Sequence, residues 1–375
     1  MAGIKKRKIK VLFVGAFRSL HETEVRGGVQ AECRAVLEGT AASPIEWILL
    51  DTTMESLPPP PIRRRLWRAS QRVGRLFLTL STRRVDVALI YISSGLSFYE
   101  KGLMAIICKA FGCKVIIRPV SGIIVDNFRR SFVLRRYIPY ILRRCDLIVC
   151  QGRSWREFYQ SITHLPTARF RIVENAISSA SYAGLQPTKS SNIVTLLMMG
   201  WVERNKGVFD LVEIVRKYQR DLGSVRIVFC GHGSDWEELR ARISSLKLEA
   251  LFEFRGWVDL EEKLRILENT DIYLMLSYRE GMPNALLEAM AGGRAVIATA
   301  VGCVSEAIED GITGYLCLPG DIEEIGLRLI ELCRNRRLRT QLGAAARARV
   351  ASYQVDRMAE KWNAILLRPE SCSSG

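Results

Sequence analysis

Two glutamates bracket a short turn in the stretch YREGMPNALLEAMAGG (278–293), with Glu280 just before Gly281-Met282-Pro283-Asn284 and Glu288 eight positions later. The preceding run, DIYLMLS (271–277), reads as a buried strand. Gly281 permits a tight turn, Pro283 suits a first helical position, and NALLEAMA has helix-forming composition. Helix N-termini present unpaired N–H groups and a positive dipole end, so a phosphate is welcome there. A carboxylate only accepts, and it can take two hydrogen bonds from vicinal hydroxyls, the device that holds ribose in dinucleotide folds. Glu280 precedes the helix and Glu288 lies about a turn inside it, so the two address different parts of one ligand carrying a sugar, a diphosphate and a ribose. The spacing equally suits a helix-capping acid and a surface acid.

The elements that must position these groups are legible along the chain. Apolar runs KVLFVGAF (10–17), VALIYIS (87–93), KVIIRPV (114–120), DLIVCQG (146–152) and RFRIVEN (169–175) alternate with longer helical patterns. Continuous apolar strands separated by helices predict a parallel sheet covered on both faces. SSASYAGLQPTKSSN (178–192) is a polar, Gly/Pro-punctuated candidate linker, and PPPP (58–61) a stiff extended loop. The alternation then restarts with NIVTLLMMG (192–200), VRIVFCG (225–231), LFEFRGW (251–257), DIYLMLS, AVIATAV (295–301) and GYLCL (314–318). The expected fold is α/β, two Rossmann-like doubly wound domains facing a central cleft, spanning residues 1–190 and 191–351. A last helical pattern, about 352–368, can return to the first domain. Open α/β sheets bind ligands beyond the carboxyl ends of their strands, which puts the site in that cleft.

Composition narrows the class. At 375 residues, 48% apolar, the chain suits two cores. Its ten cysteines form no C-x-x-C pair and no ligand spacing with His21, His164 or His232, which is the usage of buried thiols in a reducing compartment. MAGIKKRKIKVLFVGAF mimics a signal peptide, but its apolar run is too short and lacks a cleavage site, so a first strand is expected. The apolar region 102–125 is broken by Lys109, Lys114 and Arg118, so no transmembrane helix is expected. Residues 1–190 hold 31 Lys and Arg against 13 Asp and Glu, whereas the remainder holds 24 against 26. Only the first half is therefore built to meet an acidic partner.

The region YREGMPNALLEAMAGGRAVIATAVGCVSEAIEDGITGYLCLPGD resembles the signature of GT-B glycosyltransferases of the GT4 type, glycosyl transferases group 1 with the E-x7-E motif. Glu280, Glu288, Gly293, Gly302, Glu306, Gly311 and Gly314 fall on that pattern. MGWVERNKGVFDLVEIV (199–215), FCGHGSDWEELRARI (229–243) and EFRGWV (253–258) resemble further elements of it. VRGGVQ (25–30), CDLIVCQG (145–152) and VENAIS (173–178) carry a thinner likeness in the first half. The resemblance implies a GT-B fold and a retaining transfer from a nucleotide sugar, without a metal or other cofactor. The absence of D-x-D accords with that. It implies that Glu280 bonds the donor sugar and Glu288 the ribose, that amides of Gly281, Met282, Pro283 and Asn284 surround sugar and phosphate, and that Val258 lies beside the base. By the same resemblance Lys206 neutralises the departing diphosphate, a fixed cation where charge develops; otherwise it is a solvated turn lysine. Gly27 and Gly28 match the glycine loop that lets backbone approach the diphosphate, or make an ordinary turn.

Two departures stand out. Trp201 occupies the place of the usual phosphate-binding arginine, so the second phosphate cation is missing or is supplied by Arg204. Ser121 and Gly122 occupy the place of a His-Gly pair on the acceptor side.

The basic half offers a partner surface. IRRRLWRASQRVGRLFLTLSTRR (62–84) and RRSFVLRRYIPYILRRCD (129–146) interleave arginines with Leu, Phe, Tyr and Trp. Such segments suit an anionic membrane surface, and equally suit core-packed helices with solvated arginine faces. Nucleic acid is not an expected partner, because it leaves E-x7-E unexplained. The expected protein is a transferase of envelope polysaccharide synthesis, cytoplasmic and peripheral on the inner face of the membrane, with a glycan or lipid-linked acceptor. The alternative is a catalytically impaired basic binding protein on the same fold, docking on anionic membrane or nucleic acid.

Overall fold

The computed structural model describes residues 7–17, 27–53, 60–186 and 192–367. His21, the Val25-Arg26 start of VRGGVQ, Pro58 and Pro59, linker residues 187–191 and Cys372 lie outside them. The chain forms two units, one built from residues up to Asn175 together with Val355 onward, the other from Ala176–Gln354.

The first unit is a six-stranded parallel sheet. Its strands are β1 (Ile9–Gly15), β2 (Ile45–Asp51), β3 (Val87–Ile92), β4 (Lys114–Pro119), β5 (Leu147–Cys150) and β6 (Phe170–Ile172). They run in the order β2-β1-β3-β4-β5-β6. Helices α1 (Gly28–Gly39), α2 (Ile62–Thr82), α3 (Leu96–Ala110), α4 (Ile124–Arg130), α5 (Phe132–Arg144) and α6 (Arg153–Thr163) connect them. All six residues of β3 are buried, as a central strand covered on both faces must be. β2, IEWILLD, was not among the expected strands. It is an edge strand whose burial is broken and whose Leu49 is half exposed, so it lacks the continuous apolar run of its neighbours.

Arg118 of β4 is fully buried. It pairs with Glu32 of α1, donates from Nη1 to the Val173 carbonyl at 2.8 Å, and from Nη2 to Asn175 Oδ1 at 3.1 Å. A buried guanidinium is tolerable only when its donors find partners in this way.

The second unit repeats the layers. Its strands are β7 (Val194–Met199), β8 (Val225–Cys230), β9 (Phe252–Gly256), β10 (Ile272–Met275), β11 (Ala295–Thr299) and β12 (Tyr315–Cys317). The order β12-β11-β10-β7-β8-β9 is that of a dinucleotide-binding sheet, and its direction of winding reverses between β7 and β10. Its helices are α7 (Val208–Leu222), α8 (Trp236–Ser245), α9 (Leu260–Glu268), α10 (Asn284–Ala291), α11 (Val304–Ala307), α12 (Ile322–Arg334) and α13 (Arg336–Val350). Leu196, Ile227, Leu274 and Ile297 of the strands bury against Leu211 and Val215 of α7 and Ile325 and Leu329 of α12.

The division between the units falls after Asn175, earlier than residue 190. Tyr182 and Leu185 are buried in the second unit, where Arg347 donates to the Leu185 carbonyl and Arg294 to that of Gln186 at 2.6 Å. The last helix, α14 (Val355–Leu367), packs on α1 of the first unit through Ala359 and buries Trp362.

Candidate functional site

The reversal point of the second sheet gathers the residues singled out by type and spacing. Lys206 stands in the turn after β7, and Glu280 in the turn after β10, the strand beside it. Lys206 Nζ donates to Glu280 Oε1 at 2.7 Å, and Ser277 Oγ donates to the same oxygen at 2.7 Å. The lysine side chain is 25% exposed and the glutamate 14%, so the pair is sheltered yet reachable from solvent.

Two glycines make this convergence possible. Gly207 has φ +70°, and a Cβ there would stand 2.2 Å from the Leu276 carbonyl oxygen. The turn carrying Lys206 thus rests directly on the backbone leaving β10, where the Tyr278 N–H also donates to the Asn205 carbonyl at 2.8 Å. Gly302 has φ +55°, and its missing Cβ would lie 2.1 Å from the carbonyl oxygen of Glu280. The Cys303 N–H then donates to the Gly281 carbonyl at 3.0 Å, closing the turn from the other side. Only glycine accepts both the left-handed backbone and the close approach.

Pro283 is the N-cap of α10, one position earlier than expected, and supplies no side-chain cap to the first-turn amides. Met282 buries its side chain, so any contribution it makes to a ligand comes from its backbone. Asn284 opens the helix. Glu288 lies one turn on, where Lys263 of α9 donates to its Oε1 at 2.7 Å and the Tyr182 hydroxyl bonds its carboxylate. Burial and this carboxylate push the Tyr182 hydroxyl up from its ordinary range. Ser277, Lys263 and Tyr182 were not anticipated. Serine ending a strand, a lysine within EEK and a tyrosine in a polar linker carry no signal until the topology sets them beside the glutamates.

The remaining residues are placed more loosely. Arg204 pairs with Glu238 of α8, and its guanidinium lies 4.3 Å from the Phe209 ring centroid. It is committed away from Glu280, though an exposed pair of this kind holds it weakly. Trp201 is edge-on to Trp257 at 4.7 Å between centroids, and Val258 follows, half-buried. In the first unit Gly27 caps α1 beyond β1, with Gly28 as its first residue, and Ser121 and Gly122 follow β4. Ser121 Oγ accepts from the Ile123 N–H at 3.3 Å.

Residues 186–349 match the sequence model of the family described as Glycosyl transferases group 1. The chain carries a group 1 glycosyltransferase domain. An uncharacterized glycosyltransferase of Methanocaldococcus jannaschii is 30% identical over 213 residues, 55% of this chain and 54% of that one. The amylovoran biosynthesis glycosyltransferase AmsK of Erwinia amylovora is 29% identical over 248 residues, 62% of this chain and 61% of that one. The chain thus spans little more than half the length of these relatives. The crystal structure of HepE of Anabaena in complex with UDP-glucose superposes with a TM-score of 0.72 over 96% of this chain and 99% of that one, at 16% identity. The fold is GT-B. Lys206, Ser277, Glu280 and Glu288 all lie inside the group 1 domain.

Proposed function

We propose that this protein is a retaining glycosyltransferase that moves a sugar from a nucleotide-sugar donor to a glycan or lipid-linked acceptor of envelope polysaccharide synthesis. The observation that carries the reading is the Lys206–Glu280 pair at the reversal point of the second sheet. The donor diphosphate lies at the uncapped start of α10, the sugar hydroxyls donate to Glu280, and the ribose hydroxyls to Glu288. The bond between the anomeric carbon and the diphosphate breaks as the acceptor oxygen bonds that carbon on the same face, and the acceptor proton leaves with the diphosphate. Negative charge grows on the departing diphosphate beside Lys206, whose ammonium stabilises it more in the transition state than in the ground state. The names of the amylovoran relative and of the UDP-glucose complex support the pathway and the donor class.

The acceptor falls to the basic first domain. On α2 Leu66, Trp67 and Phe77 are exposed while Leu76 and Leu80 are buried. On α5 Phe132, Val133 and Tyr140 are exposed beside arginines, with Arg136 4.4 Å from the Phe132 ring and Arg144 3.5 Å from that of Tyr140. Exposed aromatics among arginines favour an anionic membrane surface on the cytoplasmic side. Among the described residues no helix is long and apolar enough to cross a membrane.

The test is nucleoside diphosphate release from a panel of nucleotide sugars with lipid-linked acceptors. Glu280→Ala and Lys206→Ala are each expected to lower turnover by about 10²–10³-fold while the protein remains folded. Wild-type turnover in both variants would overturn the assignment.

A further inference from the structure

We propose that a basic cavity at the amino edge of the first sheet binds a phosphate-bearing anion, at a site separate from the donor turn. The cavity, of about 540 Å³, lies where β1, β3 and β4 begin. That is the opposite edge of the sheet from Gly27, Gly28, Ser121 and Gly122. Its size is within the range that encloses a small molecule.

Among the described residues five cations line it, Arg7 and Lys8 entering β1, Arg83 and Arg84 between α2 and β3, and Lys114 opening β4, with Asp86 the single acid. Asp86 serves as an anchor. Its Oδ1 takes Arg7 Nη2 at 3.0 Å and Arg84 Nε at 3.4 Å, and its Oδ2 takes the Lys10 N–H at 2.9 Å. One carboxylate thus draws two exposed guanidinium groups to the same place while offsetting one charge of the five. Basic residues commonly follow helix ends, and α2 and α3 both end here. Arg7 and Lys8 arrive ahead of a strand, so helix carbonyls do not account for them.

The remaining wall is apolar. Leu80 is buried behind the cations, and Phe111 stands 40% exposed at the rim, edge-on to Phe77 at 5.3 Å. A recess lined by one sign of charge with low-dielectric walls concentrates the field on an anion, and planar guanidinium groups match phosphate oxygens in pairs. Phe111 and Leu80 would take the carbon part of the same ligand. Phosphate of this kind comes from a soluble organic phosphate or from a phospholipid headgroup, and the binding chemistry is shared.

The full-length chain separates these sources. Inorganic pyrophosphate is titrated calorimetrically into Lys206→Ala, which weakens the donor turn, with and without Arg83→Glu/Arg84→Glu. Flotation with phosphatidylcholine vesicles, plain or doped with phosphatidylglycerol, forms the second arm. The expected result is that charge reversal weakens pyrophosphate binding by about tenfold or more, or abolishes capture by the doped vesicles. The first outcome identifies a soluble ligand and the second a headgroup. Should the double reversal fail to fold by circular dichroism, Arg7→Gln with Arg84→Gln is read in the same two arms. Undetectable binding in both arms, or binding unchanged by either pair, overturns the proposal. Because Lys206 is already removed, a failure of the donor assignment leaves this result untouched.

Discussion

Each sheet reverses its winding once, and the two reversals are furnished differently. Between β7 and β10 a lysine, a serine and a glutamate converge in 2.7 Å contacts, each turn pressed onto its neighbour's backbone at a glycine. Between β1 and β3 the chain offers Gly27 before α1 and Gly95 before α3, and a Cβ at either would meet nothing within 4 Å. Among the described residues, one reversal is a charged convergence and the other a glycine-lined backbone edge. Preorganised charge stabilises most where charge develops, so the reversal that holds Lys206 is the one suited to such chemistry.

The largest effects should come from filling the tight glycines. Gly302→Val and Gly207→Val force a branched side chain into a left-handed backbone and against a carbonyl, and are expected to cost about 3 kcal/mol or more. Gly95 also has a positive φ, +63°, but its ψ of −134° lies in a region nearly reserved to glycine; Gly95→Ala meets no clash and should cost about 1–3 kcal/mol through backbone strain alone. Urea melts of the three variants check the contrast; equal losses would remove it.

A smaller effect of opposite sign is expected at Lys101 of α3, which is buried, its ammonium pushed down to about 8 by desolvation, with the Glu100 charge opposing. Its ordinary value is 10.5, so burial is penalised in full below pH 8, and the penalty fades as pH rises from about 8 to 10.5. Lys101→Met should stabilise the protein by about 1–3 kcal/mol at pH 7. That gain should shrink as pH rises through this window. A gain of equal size at pH 7 and pH 10 would show that packing, not desolvation, is responsible.

Beside the Lys206–Glu280 pair, Arg204→Gln should lower kcat/KM by less than about tenfold, against the 10²–10³-fold expected of Lys206→Ala. Its side chain is held on Glu238, so it stands outside the convergence. Equal losses would make Arg204 the second phosphate cation that Trp201 displaces.

What the sequence revealed follows the same division. Strands such as VALIYI and VTLLM (194–198) are buried on both faces and lie in unbroken apolar runs, whereas IEWILLD is an edge strand and does not. Glu280 and Lys206 were visible singly, through their glycine-punctuated turns. Their pairing is not local, since 74 residues separate them and only the β7–β10 adjacency joins them. Arg118 shows the converse limit. In KVIIRPV it reads as a polar interruption, yet it is fully buried because Glu32, 86 residues away, supplies the counter-charge. The arginine-rich helices were legible as amphipathic, but which apolar residues face the core depends on packing. Leu76 does and its neighbour Phe77 does not.

The glycine-lined reversal can be probed by a substitution that should separate stability from activity. Gly27 has φ −68° and ψ 154°, a conformation any residue adopts, and it gives α1 no side-chain cap. Gly27→Ser adds a hydroxyl able to accept from a first-turn N–H and should raise stability by about 0.3 kcal/mol. If those amides serve the diphosphate or the acceptor, the same hydroxyl competes for them, and kcat/KM should fall by about tenfold while the melting temperature holds or rises. Lower stability would point instead to a strained turn. An unchanged kcat/KM in a well-folded Gly27→Ser protein would remove the first reversal from the site and leave the chemistry to the group 1 domain.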